Sequence, residues 1–439
     1  MSERSEIYTR LRAAIDPLPV IDCHEHTVGP QGAPENREPL ACLLAGYVQS
    51  DLAAVTYPGW PAGDFWAILD DQDIPTERKL PLFEPIWRQT EHTAYARVTK
   101  RVLQEVYGEP ELTLPALQRI RERLLDLRDP AVYTSVLDRA HIRCRIVDIW
   151  PDMKAVLSGK QQIYERDRLM ISLPGFHGIR SWQNVWDLTQ VIDQSVTSLD
   201  GFLAACREIF ARLKARGALG MKDQSAYGRT LAYSNPSRAE AEPLFNRIMA
   251  DPRSALGWPE AKPLSDFLFH RFMEMARELD LPVQIHTGHM AGVRNEITKT
   301  NAVQLTPVLE LHRDVRFDLF HGNWPYLGEY LFLGKNYPNV HLDLCWLHII
   351  DPVYAKNLLS EGLTAVPHGK FHAFGGDYGD NILHAAAHLA IARDVVAAAL
   401  AEQVEYRWIG EGEALQIAAD WLFNNPNEFF KLGYDRVAV

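Results

Sequence analysis

Residues 19–29 read PVIDCHEHTVG, an apolar run that ends in two histidines separated by one residue. Short runs rich in Val, Ile, Leu and Phe are typical of strands that are covered on both faces, as in parallel sheets. Residues i and i+2 of a strand point the same way, so His24 and His26 can direct two imidazoles at one point. Alone, this pattern fits a pair of structural histidines equally well, so the rest of the chain decides its meaning.

Seven more runs of this kind follow along the 439-residue chain, separated by segments with the apolar spacing of amphipathic helices. Eight strand–helix repeats predict an α/β fold, a (β/α)8 TIM barrel built by residues 1–439 as a single unit. The alternative is an open doubly wound sheet, but no GxGxxG turn follows the first strand. The predicted strands are Leu18–Cys23, Arg143–Ile149, Arg168–Leu173, Ala218–Met221, Pro282–Ile285, Val315–Phe320, Asn339–Leu344 and Lys370–Gly375.

One connection is much longer than a barrel requires. Residues 27–142, between the first and second predicted strands, are largely helical in pattern and contain Trp66 and Trp87. Barrel enzymes build their active sites from the loops that follow the C-terminal ends of the strands. We therefore predict that 27–142 is a helical insertion that caps this face; a peripheral or oligomerisation subdomain is the alternative.

Composition and charge restrict the class of protein. The hydrophobic fraction of 47% and the charged fraction of 23% are those of a globular protein with a sizeable core. A net charge of −12, without a basic stripe, argues against nucleic-acid or anionic-membrane partners. Five scattered cysteines predict free thiols in a reducing compartment. The N-terminus lacks a signal-peptide core, and no apolar run approaches the roughly 20 residues of a membrane span. We expect a cytoplasmic homo-oligomer.

Side chains that can bind metals or anions end four of the other predicted strands. They are Lys222, His286, His321 and Asp377. The C-terminal ends of barrel strands converge on one rim, so these groups are expected to meet His24 and His26 there. Removing them all from water is costly unless they share a partner. Because imidazole and carboxylate together suit zinc or a similar ion, the residues predict a divalent-metal site.

The order of these motifs resembles the amidohydrolase superfamily of metal-dependent barrel enzymes. Its pattern is HxH after the first strand, His after the fifth and sixth, and Asp after the eighth. The stretch LFHGNWPYLGEYLFLGKNYPNVHLDLCW, residues 319–346, is similar to the amidohydrolase-2 branch. The helical stretch IWRQTEHTAYARVTKRVLQEVYG, residues 86–108, is similar to the inserted region of uronate isomerases and of amidohydrolase-like domains joined to glutamine synthetase.

The resemblance implies roles for particular residues. The metal ligands it implies are His24, His26, His286 and Asp377. One ion, most simply zinc, is favoured, and in this mononuclear arrangement His321 lies beside the substrate. In the binuclear arrangement a carboxylated Lys222 bridges two ions, and the sequence does not exclude it.

Such a site predicts a metal-dependent hydrolase that uses a metal-activated water to cleave an amide, ester or lactone bond of a small molecule. Asp377 is the predicted proton shuttle, and His321 is expected to stabilise developing negative charge. The alternatives are a non-oxidative decarboxylase, a uronate-type sugar-acid isomerase and a non-catalytic ligand-binding barrel. A carboxylate substrate would require cationic groups and a pocket wall, for which the candidates are Lys222, Arg229, Arg88 and Trp346.

Overall fold

The computed structural model describes residues 6–27, 29–56, 62–148, 153–379 and 381–439. Eight strands pair in chain order, each parallel to the next. The two edges meet where the Cys23 N–H donates to the Phe374 carbonyl (3.0 Å) and the Asp377 N–H donates to the His24 carbonyl (2.8 Å). The predicted (β/α)8 barrel is confirmed. Its strands are β1 Val20–Glu25, β2 Ile142–Val147, β3 Asp167–Ser172, β4 Gly220–Asp223, β5 Val283–Ile285, β6 Phe317–Leu319, β7 Val340–Asp343 and β8 Phe371–His372.

All eight predicted strands overlap observed ones, and the differences lie at their ends. The first strand extends to Glu25, because that residue still pairs with Val147 of β2. His24 therefore belongs to the strand itself, while His26 is the residue that follows it. Ile149, the predicted end of the second strand, lies outside the described residues.

Helices surround the barrel, and seven of the described ones lie between β1 and β2. These seven are α2 Pro39–Leu43, α3 Val48–Thr56, α4 Ala62–Asp70, α5 Thr76–Thr90, α6 Ala94–Arg101, α7 Leu114–Arg121 and α8 Pro130–Arg139. The others are α1 Glu6–Ile15, α9 Met153–Leu157, α10 Pro174–His177, α11 Trp182–Thr189, α12 Leu199–Ala215, α13 Arg238–Ala250, α14 Lys262–Glu278, α15 Thr306–Leu311, α16 Leu327–Asn336, α17 Leu347–Ile350, α18 Pro352–Ala365, α19 Ile382–Glu405, α20 Glu411–Ala419 and α21 Asn425–Phe429.

The helix α19 bears on the expectation that no apolar run approaches the length of a membrane span. It is 24 residues long and apolar enough to cross a membrane by length and composition alone. Of the most apolar part of this helix, 78% is buried inside the fold, where the helix packs against α1 and α18. It is therefore a core helix, and Arg393 and Asp394 interrupt its apolar sequence.

All five cysteines are buried, and none of them forms a disulfide bond in the described structure, as expected from the sequence. Cys23 and Cys144 belong to a small apolar cluster with Ile21 and Ile146, formed by alternate residues of β1 and β2. Phe429 and the neighbouring Phe430 pack against the same cluster, so the C-terminal segment closes one end of it.

Candidate metal centre

Three possible ligand atoms converge where β1 and the segment after β8 meet. The Nε2 atoms of His24 and His26 lie 3.3 Å apart. The Oδ1 of Asp377 lies 3.2 Å from the His26 nitrogen and 3.5 Å from the His24 nitrogen. Two imidazole nitrogens and a carboxylate oxygen at this separation fit a divalent cation of the zinc type. The structure therefore brings these three side chains together, as expected from the sequence.

Hydrogen bonds on the far side of each ring orient these two histidines. The Nδ1 of His26 lies 2.8 Å from the carbonyl of Asp148, and the Nδ1 of His24 lies 3.2 Å from Oε1 of Gln284. Both partners are acceptors, so each ring carries its proton on Nδ1 and keeps an Nε2 lone pair for the centre. The Gln284 amide in turn donates to the Cys23 carbonyl (2.9 Å) and to Asp318 (3.2 Å), which fixes its own orientation.

His286 and His321 lie beside these ligand atoms and contact each other. The Nε2 of His321 lies 3.0 Å from Nδ1 of His286 and 3.9 Å from Oδ2 of Asp377. The other ring nitrogens bond to backbone carbonyls, His321 to Cys345 (2.9 Å) and His286 to His289 (2.7 Å). The structure thus brings both histidines to the centre, but the ring nitrogens of His286 face other partners. Its role as a ligand stays a prediction.

Burial and mutual charge set the protonation states of these groups. Burial is the main cause that lowers the pKa of His24 and of His286 well below the ordinary value, and it lowers that of His321 to about 3. Burial also opposes charge on His26, but the hydrogen bond and charge of Asp377 raise its pKa. Burial disfavours ionised Asp377, yet its hydrogen bond with His26 and the nearby imidazoles lower its pKa. Neutral imidazole and ionised carboxylate are the forms that bind metals.

Lys222, at the third position of β4, lies in the same group of side chains. It is buried, and its Nζ lies 3.6 Å from the centre of the Phe320 ring. Burial lowers the pKa of this ammonium, and the charge of Asp377 acts in the opposite direction. An amine of this kind can pair with an anion or react with carbon dioxide, so both predicted roles of Lys222 stay open.

A cavity of about 790 Å³ opens onto this centre. Its walls include Asp148, Lys222 and Asp377 from the barrel, and Tyr47 and Trp66 from the insertion. The insertion therefore contributes part of the wall around the candidate ligands.

Trp346 lies behind that wall and does not line the cavity. It is fully buried, its ring packs at a tilt against Tyr47 with centroids 4.4 Å apart, and it meets His321 edge-on at 5.2 Å. Trp346, His321 and Asp377 have left-handed backbone angles, with φ of 63°, 62° and 60°. Such conformations cost free energy in non-glycine residues and cluster at functional sites.

The structure does not bring two predicted anchors, Arg88 and Arg229, to this cavity. The Arg88 side chain is 71% exposed on α5 and pairs with Glu84 at 2.6 Å. Arg229 is buried, and its guanidinium pairs with Asp266 at 2.5 Å. Helix α5 turns Arg88 to solvent, and the loop after β4 directs Arg229 into a neighbouring pocket. Neither can bind a group held at the metal centre directly.

The residues of the site that the sequence analysis missed include Asp148 and Gln284. Asp148 follows β2 and lines the cavity, and burial raises its pKa to about 6. Its position after a strand is the same signal that identified Asp377. Gln284 lies inside β5, two residues before His286, where the only signal is one polar residue in an apolar run.

The chain resembles known proteins in part of its sequence and in its fold. Residues 253–417 match the family model described as amidohydrolase. Protein fluG of Emericella nidulans is 27% identical over 181 residues, which are 39% of this chain and 20% of that protein. The chain thus spans about a fifth of the length of this curated relative.

Solved structures resemble the chain over nearly its whole length. Glucuronate isomerase from Caulobacter crescentus superposes with a TM-score of 0.77 at 19% identity, over 99% of this chain and 96% of that one. A candidate metal-dependent hydrolase from Lactobacillus casei gives a TM-score of 0.65 at 15% identity, over 96% and 97%. At such identities the likeness concerns the fold. Together with the family match, it confirms the resemblance to the amidohydrolase superfamily.

Proposed function

From its resemblance to the amidohydrolase superfamily, we propose that this protein is a metal-dependent hydrolase that cleaves an amide, ester or lactone bond of a small molecule. The convergence of His24, His26 and Asp377 on one point carries the proposal. The three groups would hold one zinc-type ion, and His286 is the predicted fourth ligand. When bound, such an ion polarises a carbonyl group and lowers the pKa of water to roughly 7.

The protein's own side chains supply the proton transfers and hold the charges. Asp377 presents a second oxygen, Oδ2, which can take a proton from an attacking water and return it to the leaving group. The Nε2 of His321, 3.9 Å from that oxygen, is placed to assist the same proton. The Lys222 ammonium lines the cavity, where it can stabilise negative charge on a reacting substrate.

The test is a screen of the zinc- and manganese-loaded protein against N-acyl amino acids, lactones, uronates and aromatic carboxylates. Water addition, detected by mass, is the expected outcome. Asp377→Asn should abolish turnover while leaving the circular dichroism spectrum unchanged. Asp314→Asn, at an exposed position, is the matched control and should retain activity. Protein that binds no divalent ion after metal loading would remove the basis of the proposal and leave the non-catalytic barrel.

Isomerisation of a sugar acid is the second candidate. The full-length likeness to a glucuronate isomerase, which includes the region of the insertion, favours it. An aldose acid converted to the ketose of equal mass would establish this reaction instead of hydrolysis. Release of carbon dioxide from an aromatic or keto acid would identify the decarboxylase alternative.

A further inference from the structure

A second cavity, of about 430 Å³, adjoins the metal cavity. Gln224 and Tyr227, in the segment after β4, line both cavities and form the boundary between them. The remaining walls come from the segment after β3, which includes Arg180, and from residues around the start of α14. The half-exposed ring of Tyr227 also packs against His286, with centroids 5.0 Å apart. A ligand that extends from the metal centre past Tyr227 therefore enters this second cavity.

The charged side chains that line the second cavity are cationic. Arg180 and Arg229 both lie over the ring of Trp258, at 5.6 and 5.0 Å. No Asp or Glu is among the described lining residues. The cavity therefore has a positive wall and an aromatic surface, in contrast to the metal cavity, whose walls include Asp148 and Asp377.

The two arginines differ in how they are held. The Arg229 guanidinium donates to Ser265 (2.9 Å) and to Asp266, and its Nε donates to the Thr230 carbonyl (3.1 Å). It is thus held in place by Asp266, an acidic residue that does not line the cavity and that also pairs with Lys262. Within the described parts of the chain, the Arg180 guanidinium has no ion pair or hydrogen bond, and it lies over the Trp258 ring.

We propose that this second cavity binds a carboxylate at the far end of an elongated substrate whose other end reacts in the metal cavity. Arg180 pairs with the carboxylate, and Trp258 packs against the substrate chain next to it. A planar guanidinium matches a carboxylate through two parallel hydrogen bonds. Because the Arg229 guanidinium already bonds to Ser265 and Asp266, Arg180 is the arginine available to a ligand, and one guanidinium suits a singly charged carboxylate better than a doubly charged phosphate. The inference rests on the proposed function, because it places the reacting end at the metal.

The experiment measures binding to the zinc-loaded protein by calorimetry, without turnover. The probes are succinate, adipate and suberate, with butyrate, hexanoate and octanoate as the monoacids of equal length. Affinity should pass through a maximum with diacid length, and the best diacid should bind about tenfold more tightly than its matched monoacid. Equal affinities of diacids and monoacids at every length would overturn the proposal.

Variants identify the residue responsible. Arg180→Ala should reduce the best diacid to the affinity of the monoacid, and Arg180→Lys should retain part of the difference. Arg253→Ala is the matched control, because that side chain is 91% exposed and pairs with Asp251. Unchanged diacid binding by Arg180→Ala, or inorganic phosphate binding more tightly than any diacid, would overturn the assignment. Zinc content is measured on the same samples: protein without zinc refutes the proposed function, whereas zinc-loaded protein without an Arg180 effect refutes this inference alone.

Discussion

Replacing Gln284 by Leu tests how the barrel interior controls the metal centre. The change removes the acceptor for Nδ1 of His24 and, at the same time, the donor to the Cys23 carbonyl and to Asp318. All of these groups are buried, so water cannot replace the lost partners. Outer hydrogen bonds to metal-binding histidines are worth about 10–100-fold in metal affinity. The expected loss is therefore about 1.4–2.8 kcal/mol of zinc-binding free energy.

The measurement is competition for zinc against a chelator of known affinity. Unfolding of the zinc-free protein in urea separates the loss of zinc affinity from a general loss of stability. The free energy of unfolding should fall by about 1–3 kcal/mol for each buried acceptor that loses its donor. Gln304→Leu is the matched control, because that amide bonds to Thr230 and to the Thr298 carbonyl and has no contact with the centre. A folded Gln284→Leu protein that binds zinc as tightly as the wild type would refute the reasoning.

Three further outcomes are expected. Elemental analysis should find one zinc ion per chain in the wild type and in Lys222→Ala. If a carboxylated Lys222 bridges two ions, the wild type would instead hold two, and the variant would lose metal. Lys79→Met should lower the free energy of unfolding in urea by about 3–5 kcal/mol, because it removes the ammonium that lies 3.0 Å from the buried Glu38 carboxylate. Adding Glu38→Gln should recover part of that loss. An unchanged urea midpoint in Lys79→Met would contradict the argument. Burial opposes ionisation of Asp223, but the charge of His177 and hydrogen bonds from His177 and Tyr233 lower its pKa below the ordinary value. The ionised carboxylate of Asp223 therefore stabilises the fold fully above the ordinary pKa of an aspartate, and this contribution is lost as the pH falls. Asp223→Asn should accordingly flatten the decline of the melting temperature between pH 6 and pH 3. Equal declines in the wild type and the variant would argue against this.

The parts of the fold and site that could be predicted share one physical basis. A strand buried on both faces must be apolar, so the eight runs were visible in the sequence. Parallel strands in a closed barrel end on one rim, so side chains as distant in sequence as His24 and Asp377 could be placed together. The same rule applied to β2 would have found Asp148.

Other features depend on geometry that no local pattern encodes. Arg88 and Arg229 are basic residues in segments that were expected to border the site. The rotation of helix α5 directs Arg88 elsewhere, and the path of the loop after β4 does the same for Arg229. The left-handed backbone at Trp346 is uncommon for a bulky residue and follows from the tertiary contacts around it. Gln284 acts through His24, and a single polar residue in an apolar strand does not reveal its partner.

The contact between Tyr47 and Asp377 has a practical consequence for engineering. Tyr47 comes from the insertion, and its hydroxyl donates to the backbone carbonyl of Asp377. Removing the insertion to obtain a smaller scaffold would release the peptide that holds a candidate ligand, and would weaken metal retention as well as open the cavity. Libraries aimed at new substrates should therefore vary Gln49, Ser50 and Trp66 on the same wall and keep Tyr47 fixed.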